Sequence, residues 1–196
     1  LVIDPDAPLP TTVEALNQET LRAVEALVQL FPDNPDALEM KARVQVWLGN
    51  SAQAEETWQQ CLKLNPKYVH AYVGMASTAA ARAEHEKSLE LAKHALTLDS
   101  QNFQARAISA DALLQLGRAQ DVPGVLEEHL SKDPRSRGHY LLGQAYAQLG
   151  NYEKARDNYE AAIRIYPDYR EAYNGLAVAY ERLGEADKAQ QTMDKF

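Results

Sequence analysis

From residue 13 onward, positions three and four apart repeat their character. Val13, Leu16, Thr20, Val24, Leu27 and Phe31 recur at that spacing and predict one face of a helix. Thr11 and Glu14 read as a T-x-x-E capping box at its start, and Pro32 ends it. Residues 1–10, LVIDPDAPLP, carry three prolines and no helical period, which predicts an extended tail or linker. The segment 11–34 is expected as an N-terminal capping helix or a degenerate repeat. Asn34-Pro35 then opens the next segment, with Asn as N-cap and Pro at the first helical position. Beyond it, apolar-periodic stretches of helical length come in pairs, each pair divided by a short breaker.

The breakers keep a period. Pro32, Pro66, Pro134 and Pro167 are separated by 34, 68 and 33 residues; Gly49, Gly117, Gly150 and Gly184 by 68, 33 and 34. Two kinds of breaker on one period imply one structural unit repeated. In each unit the Gly can take the left-handed conformation that ends a first helix, and the Pro stops a second. A small residue early in the first helix lets the second approach closely. One such unit cannot bury its own apolar face, so neighbours must stack.

The last units spell the pattern out. From Tyr140 the chain reads YLLGQAYAQLGNYEKARDNYEAAIRIYP. Leu142-Gly143 and Tyr146, then Ala155 and Tyr159, then Pro167, follow L-G-x2-Y, A-x3-F and P. The next unit places Leu176-Ala177, Tyr180, Ala189 and Met193 there. This resembles the tetratricopeptide repeat. Earlier units diverge more. Ala83 stands for the Gly and Ser100 for the Pro of the second unit, and Val122 for the small Ala of the third. The third unit is also irregular, one residue short and with Pro123-Gly124 opening its second helix. Units are expected to start at Pro35, Val69, Phe103, Ser136 and Arg170. The resemblance implies an all-α fold, a right-handed superhelical solenoid of antiparallel helix pairs. Residues 35–196 would form an array of about five units, the last incomplete.

Charge changes the picture by exclusion. The net charge is −8, and acids outnumber bases in both halves, 13 to 8 in residues 1–98 and 15 to 12 in residues 99–196. A chain without a basic face has nothing to neutralise phosphates, which argues against nucleic acid. No run of about 18 apolar residues is present, so membrane insertion is not expected. Cys61 stands alone and leaves the compartment open between cytoplasm and periplasm or export. The chain opens on Leu1 and stops inside a predicted helix, which suggests a piece of something longer.

Candidate chemistry is sparse. No two of the five histidines, His70, His85, His94, His129 and His139, stand at i, i+4, and Cys61 has no second Cys at zinc-ligand spacing. Phosphate-cradling glycine motifs and nucleophile elbows are absent. No enzyme activity, metal or cofactor is therefore expected. Trp58 and most tyrosines fall at repeat-signature positions and read as core, and Cys61 as packing; Trp47 and Tyr140 do not.

By resemblance, the first helix of each unit lines a concave face where partners are held. The positions carried over include Glu39 and Arg43; His70 and Ser77; Gln104 and Asp111; Arg137, Tyr140 and Gln144; and Asn174. Tyr140 is the expected aromatic anchor. Some relatives clamp a carboxylate tail with Lys, Asn, Asn, Lys and Arg; the corresponding places here hold Glu39, Arg43, Gly74, Gln104 and Ile108, so that specificity is not expected. The leading expectation is a scaffold binding a protein or peptide in its concave groove. The alternatives are a self-assembling protein, a homo-oligomer joined through the C-terminal repeat, and the adaptor region of a larger enzyme.

Overall fold

The computed structural model describes residues 12–195. The expected tail, residues 1–10, lies outside them. The described residues form helices and no strand: α1 (Val13–Leu30), α2 (Pro35–Trp47), α3 (Ser51–Leu64), α4 (Val69–Ala81), α5 (His85–Leu98), α6 (Phe103–Gln115), α7 (Val122–Lys132), α8 (Ser136–Gln148), α9 (Tyr152–Ile165), α10 (Arg170–Arg182) and α11 (Ala186–Met193). The residues expected to open units are the first residues of α2, α4, α6, α8 and α10. Two helices follow each of these starts, and the pairs stack into a superhelical solenoid.

The turns follow from backbone chemistry. Gly49, Gly117, Gly150 and Gly184 have φ between 69° and 81°. The N–H after each glycine reaches back to the carbonyl five residues earlier: Asn50 to Gln45 at 2.7 Å, Arg118 to Leu113 at 2.8 Å, Asn151 to Tyr146 and Glu185 to Tyr180 at 2.9 Å. These bonds close the last turn of the first helix. Glu84 makes the same bond to Ala79 at 2.9 Å, with Ala83 at φ 59° in the glycine's place. The turn geometry therefore survives the loss of its glycine.

The core lies between the paired helices and between neighbouring units. The small positions are sealed: Ala42, Ala76, Ala110 and Ala177 on first helices, Ala54, Ala155 and Ala189 on second helices, all buried. Ser88 takes such an alanine's place and satisfies its buried hydroxyl by donating to the Ala76 carbonyl at 2.9 Å. Cys61 is fully buried; burial pushes its thiol up to about 11, as suits a packing role. The irregular third unit shows its departure as one turn of 3-10 helix, Ala119–Asp121, before the short α7.

One expectation for α1 needs correction. Its N-cap is Thr12, whose hydroxyl accepts from the Ala15 N–H at 3.1 Å; Thr11 lies outside the described residues. Of the face predicted from Val13 to Phe31, only Val24 is buried, while Val13, Leu16 and Phe31 are exposed. Periodicity shows which residues share a face. It does not show how far a neighbouring helix covers it, and α2, at 13 residues against 18, is the shorter helix.

Candidate functional site: the concave groove

Among the described residues the backbones of the first helices α2, α4, α6, α8 and α10 approach one another in series, whereas those of successive second helices stand further apart, α3 and α5 meeting through the Glu55–Lys87 ion pair at 2.6 Å. The first helices thus form the inner layer of the solenoid. The positions carried over from the family pattern sit on this layer, and all but Asn174 fall into one of two groups.

The first group is held by α2, α3, α4 and the start of α6. Glu39, Arg43, His70, Ser77 and Gln104 line one cavity of about 640 Å³, together with Val46, Trp47, Ser51, Trp58, Val73, Gly74, Thr78 and Ala81. Glu39 and Arg43 stand one helical turn apart, 3.7 Å between Oε1 and Nε. The Glu39 side chain is largely covered while that of Arg43 is open. Burial pushes the Glu39 carboxyl up; Arg43 and His70 pull it the other way. The His70 ring stands edge-on to Tyr68 at 5.6 Å. Tyr68 in turn donates to Asp36 Oδ1 at 2.5 Å, tying the second unit to the first.

The second group surrounds Tyr140 on α8. Its ring is half-buried beside Tyr169 at 5.0 Å and Tyr159 at 6.0 Å. Gln144 Nε2 donates to its phenol oxygen at 3.0 Å. Burial pushes the Tyr140 phenol up, and the Glu171 and Asp111 carboxylates add to it. Burial likewise raises Tyr169, with Arg137 opposing. Tyr140 and Gln144 therefore meet at one aromatic cluster, with the charges of Asp111 and Arg137 near enough to act on its phenols. Asn174 stays exposed on α10 and joins neither group.

Sequence reasoning passed over Trp58 and Tyr169 as groove residues. Trp58 occupies the core place of A-x3-F, and nothing in the pattern shows that one edge of its ring would meet the groove. Tyr169 precedes α10, outside the helix positions that the pattern assigns to the concave face. Among the described residues no group of His, Cys, Asp and Glu could hold a metal ion, and no helix is long and apolar enough to cross a membrane.

Residues 138–184 match the family described as TPR repeat, and residues 39–103 the one described as Tetratricopeptide repeat. The chain belongs to the tetratricopeptide repeat family. A TPR repeat-containing protein of Methanocaldococcus jannaschii is 27% identical over 159 residues, 76% of this chain and 28% of that one. The TPR repeat-containing protein YpiA of Bacillus subtilis is 27% identical over 135 residues, 67% of this chain and 31% of that one. The chain spans less than a third of the length of these relatives. Among solved structures, the TPR protein YrrB, described as having an unusual peptide-binding site, superposes with a TM-score of 0.70 at 15% identity, covering 89% of this chain and 91% of that one. MamA superposes at 0.71 with 24% identity, covering 79% and 91%. At such identities the likeness shows the fold, an all-α TPR solenoid, and family and fold together support a protein-interaction scaffold.

Proposed function

We propose that this chain is a non-catalytic scaffold that holds an extended peptide of a partner protein along its concave groove. The observation that carries the reading is the cavity of about 640 Å³. It gathers five carried-over positions from three different first helices into one concave space. Its lining mixes apolar surface with a few convergent polar groups, the composition that holds a peptide by side-chain pockets and hydrogen bonds. YrrB, whose description names a peptide-binding site, shares the fold. Tyr140 supplies an aromatic anchor further along, with acids and an arginine around it.

Selection of a random dodecapeptide display library against the immobilised chain tests this. Enriched peptides should bind the wild type and lose about tenfold in affinity, roughly 1.4 kcal/mol, on Tyr140→Ala. The variant's helical signal and melting curve should persist. No enrichment, or enriched peptides indifferent to both Tyr140→Ala and Gln104→Ala, would sink the reading.

A second reading, self-assembly through the C-terminal repeat, is favoured by a separate cavity of about 440 Å³. It is lined by Tyr173, Leu176, Tyr180 and Thr192 beside the exposed Met193. Light scattering across a concentration series separates the two: a constant monomer mass removes self-assembly, and growth with concentration supports it.

A further inference from the structure

Trp58 fills the aromatic core place of its unit and is 2% exposed, yet it also lines the α2–α4 cavity. Its indole Nε1 is buried and has no hydrogen-bond partner. Buried indole N–H groups ordinarily find an acceptor, because water cannot serve them there. The indole edge lies against Gly74: a Cβ on that residue would stand 2.3 Å from Cζ2 and 2.9 Å from Nε1. The ring thus fills the space where a side chain at 74 would stand, and it forms the floor of the cavity beside that glycine.

Beside hydroxyl and amide groups, which can donate or accept, the space around this floor holds donors that lack a close partner. The Arg43 side chain is 73% exposed, and its one ion pair among the described residues is the long one to Glu39. Its guanidinium has most of its five N–H groups free. Gln104 and Ser77 reach the same space. Ser51, also in the lining, opens α3, and Asn50 before it makes no side-chain capping bond. The first N–H groups of that helix therefore remain open. Glu39 is the one carboxylate in the lining, and it is already engaged with Arg43. Above the floor stand Trp47, 62% exposed, and Val46.

We infer that this cavity takes an acceptor-rich peptide segment of a partner protein in which an acidic residue adjoins an aliphatic one. The inference rests on the groove reading above and specifies its ligand. The partner's carboxylate pairs with Arg43, close to His70 and the open end of α3. Its aliphatic side chain covers Trp47 and Val46. A backbone carbonyl of the peptide accepts from Trp58 Nε1, so a core residue of the array doubles as a ligand contact.

The chain has two tryptophans, both in this cavity, so two indole cross-peaks in a proton–nitrogen correlation spectrum report on it directly. Trp47→Phe assigns them. The probes are the blocked pentapeptides acetyl-Ser-Leu-Glu-Leu-Ser-amide and its counterpart with Lys for Glu. The Glu peptide should move the Trp58 indole proton downfield and shift the Trp47 peak. The Lys peptide should bind about tenfold more weakly, and Arg43→Ala should abolish that preference. Trp58→Phe keeps a ring in the core and removes the donor; it should weaken the Glu peptide while leaving the melting curve folded. If that variant unfolds, the wild-type indole shift alone decides. An indole proton that stays put with the Glu peptide at millimolar concentration, or equal binding of both peptides, overturns the inference. If display-selected peptides then move backbone amides around Tyr140 and leave both indoles unchanged, the groove reading stands and only this ligand chemistry fails. Should no groove amide respond to any of them, both fall.

Discussion

Ala83 carries a left-handed φ of 59° at a turn where the other four units place glycine. A Cβ in that conformation costs roughly 1–2 kcal/mol, and glycine's extra freedom in the unfolded chain returns roughly 0.5–1 kcal/mol of that difference. The first figure is the larger, so Ala83→Gly should stabilise the chain by about 0.5–1 kcal/mol. A urea midpoint that rises with an unchanged slope would show it; an unchanged or lower midpoint would mean that the turn relaxes elsewhere. The sequence marked Ala83 as a substitution within the period. It could not tell whether the turn would change shape or keep its shape under strain, because that depends on the Glu84-to-Ala79 bond and the packing that holds both helices. His129 is a similar case. It takes an alanine's place on α7, is 8% exposed, and stacks on Phe103 at 5.7 Å.

Between elements, ring size on one helix is matched by the absence of a side chain on another. The large Trp58 faces Gly74, and the large Tyr159 faces Gly175, where a Cβ would stand 2.5 Å from the ring. In the second unit the equivalent of Trp58 is Ala92, and sixteen residues on, where Gly74 and Gly175 stand in their units, is Ile108; both lie in one core cluster. Gly74→Ala therefore sets overpacking of about 1–3 kcal/mol against a helix-propensity gain of about 1 kcal/mol, and should destabilise. Gly124 on α7 has nothing within 4 Å of a Cβ, so Gly124→Ala should instead stabilise by roughly 0.5–1 kcal/mol. Two identical substitutions with opposite signs in thermal melts check the argument; matching signs would refute it. Trp58→Ala combined with Gly74→Ile recreates the Ala92–Ile108 arrangement and should lose less than the two single variants added together. Helix starts were legible in the sequence because Pro and Gly act locally. The pairing of Trp58 with Gly74 was not, because it joins separate units and has no local signature. For the same reason the groove's polar positions could be carried over, while its indole floor could not.

Over the whole molecule burial is uneven along the array. The largest core cluster joins α5 to α11 and includes Leu89, Leu113, Val122, Leu126, Leu142 and Tyr159. The cluster nearest the N-terminus is smaller, built on Leu38, Trp58 and Cys61. In α1, one residue of 18 is buried, and Leu30 and Phe31 at its end are more than half exposed. An isolated helix of that length is marginal in water, so α1 depends on the contact of its middle with α2. In a linear array each unit is stabilised by its neighbours alone, and local opening free energies follow local burial. Amide exchange should therefore be faster in α1 than in α8, where Leu141, Leu142, Ala145 and Tyr146 are buried among α6, α7, α9 and α10. Mass-resolved exchange on the intact chain measures this directly. Equal protection in α1 and α8 would mean that the array opens only as a whole, and that the burial of single helices does not set their opening. A graded profile would place the α2–α4 cavity next to the least protected helix, so that a ligand ordering this end should raise protection in α1 and α2 more than in α8.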